Sequence, residues 1–261
     1  MSIRALTFGA VAESYERFRP GYPEELFTLV AGYADRPLER ALEIGAGTGK
    51  ATRLFAAHGI AVTATEPDAG MLAELRKHVP DTVSTELAAF ENVRTEEVFD
   101  LFFVAAALHW TRPAGRWERI AGWLTPGGVV ASFGGPIQLA DPVVEEAVRA
   151  ARAPFLESDE VPSPDGTAPE QAMQWPGTEL VRSPLFTDVE QHTIERRLTV
   201  SAADFVGHLS TVSAYLELPP ETRDLVFRGI EQALPETVAL TADIIVHLAR
   251  RTALAVPGST V

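Results

Sequence analysis

A glycine-rich turn between an apolar stretch and a helical pattern restricts the fold of this chain more than any other feature. It reads EIGAGTG over residues 43–49. Glycine has no Cβ, so it permits positive φ and lets a ligand approach the main chain, while the start of the following helix offers free N–H groups. The segment therefore predicts a strand-to-helix turn that binds a nucleotide-like cofactor.

Spacing separates the cofactors that such a turn could bind. In a phosphate-binding P-loop the first glycine would stand at Ile44, and Ser or Thr would stand at Ala51. The dinucleotide pattern G-x-G-x-x-G is weakened because Lys50 occupies its last glycine position. Glu43, two positions before the first glycine, suits a cationic ligand group and would repel a pyrophosphate. The P-loop is thus disfavoured, and a dinucleotide stays open as an alternative.

Several motifs together resemble a known family. LEIGAGTG, then Glu66 in AVTATEPD, then LTPGG near residue 124 resemble the class I S-adenosylmethionine-dependent methyltransferases. The resemblance continues in FGAVAESYERFRPGYP, VFDLFFVAAALHW and the C-terminal HLARR, so it covers nearly the whole chain. Within the family, the chain is most similar to the small-molecule branch that includes trans-aconitate and ubiquinone-pathway methyltransferases. The resemblance implies S-adenosylmethionine as cofactor and in-line methyl transfer to a small molecule, with release of S-adenosylhomocysteine.

The composition restricts the kinds of partner and cofactor that we expect for this chain. The formal net charge of −14 disfavours nucleic acid, whose binding relies on Lys and Arg. The chain has no cysteine, which removes disulfides and thiolate chemistry, and its six histidines are scattered, so we predict no metal site. The longest apolar run, 101–108, is too short to span a bilayer, and the N-terminal segment lacks a signal-peptide pattern. We expect a cytoplasmic monomer or homodimer that acts on a small molecule, without a membrane partner.

Helical and strand patterns alternate up to Gly135, as in a parallel sheet covered on both faces. Beyond that point, closely spaced prolines from Pro154 to Pro176 predict a surface excursion. A strand pair or one bent strand is expected over 189–200, and a closing strand over 238–248. Predicted strands in the first half cover 41–44, 61–65, 82–85, 100–105 and 129–133.

Together with the resemblance, these patterns predict one α/β domain over residues 1–261. Its core would be a Rossmann-like, mostly parallel seven-stranded sheet with helices on both faces and a helical cap insertion. Residues 1–22 would form a lid over the cofactor. Residues of about 136–185 and 201–235 would form the substrate cap.

The glycine turn and two acids are the strongest candidates for cofactor binding. Gly45, Gly47 and Gly49 would let the backbone lie against the methionine and ribose moieties, with Glu43 near the cationic end. Glu66, 21 positions after Gly45, could accept hydrogen bonds from both ribose hydroxyls. Alternatively, Glu66 favours the dipole of the helix that follows it, and the two roles can coexist.

The resemblance also implies further cofactor contacts. It assigns Ala89 and Phe90 to the adenine, although Ala89 stands where the family often has a polar residue. It places Tyr15 and Arg19 near the carboxylate of the cofactor, a task that suits the bidentate guanidinium. For Tyr15 and Arg19, packing against the first helix is the alternative.

His109 is the candidate general base, because histidine accepts a proton near neutral pH. Its alternative role is a wall of the pocket, since methyl transfer can proceed by proximity and orientation alone. Trp110 and Trp175 are candidate substrate contacts. Two other functions stay open: an NAD-type oxidoreductase, and a cofactor-binding protein without methyl transfer activity.

Overall fold

The computed structural model describes residues 7–159, 162–168 and 170–253. Its first half alternates strands and helices, as the sequence predicts. After a 3-10 turn at Phe8–Val11, the elements are α1 Ala12–Phe18, α2 Glu24–Ala34, β1 Arg40–Ile44, α3 Lys50–Ala57, β2 Ala61–Glu66, α4 Ala69–His78, β3 Ser84–Leu87, β4 Phe99–Ala105, α5 Arg116–Trp123 and β5 Leu124–Gly134.

The second half mixes strands and helices in a less regular order. Its elements are β6 Gln138–Leu139, α6 Pro142–Arg152, α7 Gly177–Arg182, β7 Phe186–Ile194, β8 Arg197–Ser201, α8 Ala202–Leu209, α9 Ser213–Leu216, α10 Pro220–Ala233, β9 Thr237–Thr241 and β10 Ile244–Arg251. The described residues between α6 and α7 form neither helix nor strand. Their prolines fix φ and remove N–H donors, which explains the irregular path.

Seven strands form the central sheet, in the order β3-β2-β1-β4-β5-β10-β7. The first five are parallel, whereas β10 runs antiparallel to both β5 and β7. The predicted Rossmann-like, mostly parallel sheet is therefore confirmed. The chain winds outward from β1 to β3 and then returns to β4, so strand order reverses between β1 and β4. Ligands of open parallel sheets bind beyond the carboxyl ends of the strands at such a point.

Side chains alternate between the two faces of the sheet and build a core on each. Phe103 packs with Phe55 of α3 on one face, with ring centroids 4.4 Å apart. Phe102, the neighbouring residue in β4, packs with Trp123 of α5 on the other face. This two-residue period is the pattern of a strand buried on both sides. Burying each such aromatic side chain contributes roughly 1.5–3 kcal/mol to stability.

A second, three-stranded antiparallel sheet, in the order β6-β9-β8, packs with α6, α8 and α10. The expectation of a closing strand over 238–248 is wrong, since this segment contains β9 in the small sheet and β10 in the large one. The segment 189–200 likewise divides into β7 and β8. In the first segment the chain passes from one sheet to the other near Asp243, and in the second it does so near Arg196. The two points are in contact, because Asp243 Oδ1 accepts a hydrogen bond from the Arg196 N–H at 2.8 Å. The small sheet and the helices packed on it thus combine strands with helices, and their role as a substrate cap stays a prediction.

Candidate cofactor site

The glycine turn adopts the backbone conformation that its sequence predicts. Gly45, Gly47 and Gly49 have φ values of 60°, 58° and 83°, in the left-handed region that disfavours residues with a Cβ. A Cβ on Gly45 would stand 2.5 Å from the Cβ of Ala107, in the loop after β4. Gly45 therefore allows the turns after β1 and β4 to approach each other at the switch point.

Glu66 ends β2 and connects two backbone segments. Its Oε2 accepts a hydrogen bond from the Gly47 N–H at 2.9 Å, and its Oε1 accepts one from the Asp68 N–H at 2.9 Å. The side chain is buried, and this burial raises its pKa to about 7, despite the opposing effect of the two N–H donors. Each oxygen keeps a second lone pair, so the carboxylate can still accept hydrogen bonds from a ligand.

Glu43 lies within the core beneath the turn. Its Oε2 accepts a hydrogen bond from Thr52 Oγ1 of α3 at 2.5 Å, while Oε1 has no hydrogen-bond partner among the described residues. Complete burial and, to a smaller extent, the nearby Glu66 carboxylate together raise the pKa of Glu43 to about 8, against the opposing effect of the hydrogen bond from Thr52. Glu43 does not line the cleft described below, so its predicted contact with the cationic end of a cofactor stays a prediction.

The N-terminal segment is fastened across the carboxyl edge of the sheet. The Gly9 N–H donates to Asp68 Oδ2 at 3.1 Å, and Asp68 Oδ1 accepts from the Gly70 and Met71 N–H groups that begin α4. In α1, the Glu16 carboxylate pairs with Lys50 and Arg53 at 3.3 and 2.8 Å. Both attachments hold the segment beside the glycine turn.

Arg19 joins the end of α1 to the segment after α8. Its Nε and Nη2 donate to Thr211 Oγ1 and the Thr211 carbonyl at 2.8 and 3.1 Å. The guanidinium also lies 5.2 Å from the centroid of the Tyr15 ring, within the range of a cation–π contact. Tyr15 and Arg19 both line the cleft, and their expected place near the cofactor carboxylate stays a prediction.

The cleft lies over the carboxyl ends of the strands, at the β1–β4 switch point. One wall is the glycine turn, and the opposite wall comes from the loops at the edges of the two sheets. The residues that line it include Tyr15, Arg19 and Tyr22, the turn 45–48, Ala105, Ala106, Gly134, Gly135, Arg196 and Asp243. It therefore brings residues 45–48 of the glycine turn together with the predicted N-terminal residues, whereas Gly49 and Glu66 are not among the residues that line it. The predicted contact of Glu66 with the ribose stays a prediction.

The two residues predicted to contact the adenine follow β3, and that contact stays a prediction. Phe90 is buried in the core, in edge-to-face contact with Trp123 at 5.5 Å. The Ala89 carbonyl accepts hydrogen bonds from the Asn92 and Val93 N–H groups in the turn that follows. Neither residue lines the cleft, because the apolar Phe90 ring fills the space between the sheet and α5.

His109, Trp110 and Trp175 also lie outside the residues that line the cleft. Burial, with a further contribution from Arg116, lowers the pKa of His109 to about 4. Trp110 contacts Phe8 of the N-terminal segment, with ring centroids 6.3 Å apart. Trp175 packs beneath the Arg116 guanidinium at 5.4 Å. Their proposed roles in catalysis and substrate binding stay predictions.

Sequence reasoning missed Arg196 and Asp243, which close the far side of the cleft. They stand about 150 to 200 positions after the glycine turn, at the two points where the chain changes sheet. The charged Glu-Arg-Arg run at 195–197, which lies between the apolar Ile194 and Leu198, was the available signal.

Among residues 7–159, 162–168 and 170–253, no group of three or more His, Cys, Asp or Glu side chains could hold a metal ion. In the same ranges, none of the helices combines the length and apolar character needed to cross a membrane.

The segment around the glycine turn is similar to known methyltransferases. Residues 42–132 match a family model described as a methyltransferase domain. An uncharacterized methyltransferase of Mycobacterium tuberculosis is 39% identical over 124 residues, which are 48% of this chain and 50% of that protein. Trans-aconitate 2-methyltransferase of Rhizobium etli is 31% identical over 139 residues, 49% of this chain and 53% of that protein. The chain thus spans about half the length of the curated relatives that it matches.

The fold extends the similarity beyond the matched segment. The solved structure of a protein described as a type II methyltransferase from Anaeromyxobacter dehalogenans superposes with a TM-score of 0.64 at 23% identity. The match covers 89% of this chain and 98% of that one. Residues 42–132, which carry the glycine turn and Glu66, therefore match a methyltransferase domain model, and they lie within a Rossmann-like fold shared with that solved structure.

Proposed function

We propose that the protein binds S-adenosylmethionine and transfers its methyl group to a small-molecule acceptor. The proposal rests on one observation. Glu66 accepts a hydrogen bond from the Gly47 N–H at the switch point of the sheet, within the segment that matches a methyltransferase domain. A cytoplasmic location and a monomeric or homodimeric state remain predictions.

The chemistry of the residues around the cleft fits this cofactor. The glycine turn has its backbone free to approach a ligand, because no Cβ stands at Gly45 or Gly47. Glu66 would accept hydrogen bonds from ribose hydroxyls through its remaining lone pairs. Arg19 would pair with the carboxylate of the methionine moiety, since its Nη1 has no partner among the described residues.

When bound, S-adenosylmethionine supplies an electrophilic methyl group, and its transfer leaves S-adenosylhomocysteine. The contribution of this chain is to orient the two reactants and to exclude water. The segment held by Glu16 and Asp68 and the cap held by Arg19 would enclose the cleft on two sides. Correct positioning alone supplies a large share of the catalysis of such a transfer.

A small-molecule acceptor is supported by the enclosure and by the charge of the protein. The net charge of −14 opposes nucleic acid. A matched relative is named for methyl transfer to trans-aconitate, which is a small molecule. These observations favour a small acceptor and do not identify the atom that receives the methyl group.

The proposal is tested by titrating the full chain with S-adenosylhomocysteine and by following labelled methyl groups from S-adenosylmethionine into a panel of small acceptors. We expect saturable binding to the wild-type protein, with no competition from NADH. Tight binding of NADH without a response to S-adenosylhomocysteine would instead favour an oxidoreductase. Binding without transfer to any acceptor would favour a noncatalytic cofactor-binding protein.

Two glycine variants locate the binding site. Gly47→Ala and Gly59→Ala both place a Cβ at positive φ, 58° and 82°, so both strain the backbone. At Gly59 the added Cβ meets open space, at the end of α3 and away from the cleft. We expect only Gly47→Ala to weaken S-adenosylhomocysteine binding strongly. Equal affinities in the two variants would contradict the assignment of the turn.

A further inference from the structure

We propose that Arg196 binds a carboxylate group of the methyl acceptor, so that the acceptor is a small organic anion. This inference rests on the proposed function, because it concerns the part of the same cleft that lies beyond the cofactor. It is carried by the position of Arg196, by its free N–H groups and by the distribution of charge around it.

Arg196 lies on the acceptor side of the cleft. The glycine turn and Glu66 belong to β1 and β2, whereas Arg196 follows β7, beyond β5 and β10 in the sheet. It lines the same cleft as Arg19, together with Tyr22 and Asp243. A cofactor held by Glu66 and Arg19 would leave this end of the cleft for the second reactant.

Only one of the three guanidinium nitrogens of Arg196 donates a hydrogen bond to the described residues. Its Nη1 donates to the Gly21 carbonyl at 2.9 Å, while Nε and Nη2 have no partner within the part of the chain that the structure describes. A guanidinium with two nitrogens free to donate can bind both oxygens of a carboxylate bidentately. The bond to Gly21 fixes the orientation of the side chain before a ligand arrives.

No described carboxylate neutralises Arg196. Asp243 lies beside it, but Asp243 Oδ1 accepts from the Arg196 backbone N–H and pairs with the Arg197 guanidinium at 2.5 Å. Burial lowers the pKa of Arg196, an effect opposed by Tyr22. Tyr22 itself is held neutral, because burial raises its pKa far above the ordinary value.

The other cations of the cleft have partners or a different task. Lys50 pairs with Glu16 at 3.3 Å, and Arg19 is placed beside Tyr15 near the turn. In a protein of net charge −14, Arg196 is a partly buried arginine in the cleft without a carboxylate partner among the described residues, so its positive charge is locally uncompensated. A ligand anion would compensate that charge.

The test measures binding of defined acids to the full chain saturated with S-adenosylhomocysteine. The probes are succinate, glutarate and benzoate, each compared by calorimetry with its amide, which has the same shape without the charge. We expect at least one acid to bind, with its amide weaker by about tenfold or more. Arg196→Gln should weaken binding of that acid by about tenfold or more, and Arg196→Lys by less.

Arg228→Gln is the matched control, since it removes the same charge from an exposed position on α10, away from the cleft. It should leave acid binding unchanged. The proposal is overturned if no acid binds, if the amides bind as well as the acids, or if Arg196→Gln binds acids like the wild type.

Titration with S-adenosylhomocysteine separates this inference from the proposed function. If the wild type fails to bind it, the proposed function is wrong, and acid binding to the free protein still reports on Arg196. Should Arg196→Gln fail to fold, Arg196→Lys decides the matter. A reduced preference for acid over amide in the lysine variant supports the proposal, and an unchanged preference overturns it.

Discussion

Glu66 and Gly47 are joined by a hydrogen bond of 2.9 Å, donated by the Gly47 N–H to Glu66 Oε2. Through its other oxygen, Glu66 also accepts from the Asp68 N–H, just before α4. One carboxylate thus holds the turn after β1 against the segment after β2. It would also contact the proposed cofactor, so Glu66 has a structural role and a proposed binding role that can be measured separately.

Replacing Glu66 with Gln should affect both roles. The amide keeps the size of the side chain, but its NH₂ group cannot accept the hydrogen bond that one carboxylate oxygen accepts now. We expect a loss of about 1–3 kcal/mol in unfolding free energy and a further loss in S-adenosylhomocysteine affinity. Urea unfolding and calorimetric titration measure the two effects. Glu86→Gln, an exposed change on β3, should alter neither quantity.

Asp68 and Asp141 allow a comparison of two helix caps. Both side chains accept N–H donors at a helix start, but only Asp68 also accepts from Gly9 in the N-terminal segment. Each change to Ala should destabilise the protein by about 1 kcal/mol. Only Asp68→Ala should also weaken S-adenosylhomocysteine binding, because it frees the segment beside the cleft. Equal affinities in the two variants would argue against a lid role for that segment.

Much of the fold follows from local patterns in the first half of the chain. Stretches of only a few residues predict the glycine turn, the acid at the end of β2 and the two-residue alternation through Phe102 and Phe103. The division of residues 238–248 between two sheets is not, because both strands are apolar and the turn between them is short. It depends on Asp243 bonding to Arg196, 47 positions away.

Site residues were predictable to the extent that they lie close to the turn in sequence. Tyr15 and Arg19, which the resemblance places near the cofactor carboxylate, line the cleft, and the contact itself stays a prediction. Phe90 stands at the right place in the sequence, yet its ring packs against Trp123 in the core. An aromatic residue after a strand suits either environment, and only the packing of α5 decides between them. Arg196 was missed because nothing local links it to the turn.

His109→Gln tests the general-base hypothesis. Burial lowers the pKa of His109 to about 4, so its ring is neutral at pH 7 and is a weak base. We therefore expect kcat to fall by less than about tenfold, whereas removal of a general base typically reduces the rate by about 10²–10⁴. The wild-type pH–rate profile should show no His109 step near pH 6.5. A hundredfold fall in kcat with unchanged S-adenosylhomocysteine affinity would establish His109 as the base.

Glu43 should make the stability of the protein depend on pH. Its pKa in the folded state is about 8, compared with an ordinary value of 4.5, so the folded chain holds a proton that the unfolded chain releases between these values. Stability from this group is greatest below about pH 4.5 and declines as the pH rises toward 8. The decline is at most about 1.4 kcal/mol per pH unit for one carboxyl.

Glu43→Gln should flatten that dependence. The amide is neutral at every pH, and its oxygen can still accept the hydrogen bond from Thr52 Oγ1. Urea unfolding at intervals from pH 5 to pH 8 should therefore give a shallower slope for Glu43→Gln than for the wild type. Glu66, whose pKa is also raised, should account for part of the slope that remains. The exposed Glu86→Gln change should retain the wild-type slope, and identical slopes for all three proteins would show that Glu43 is ionised in the folded state.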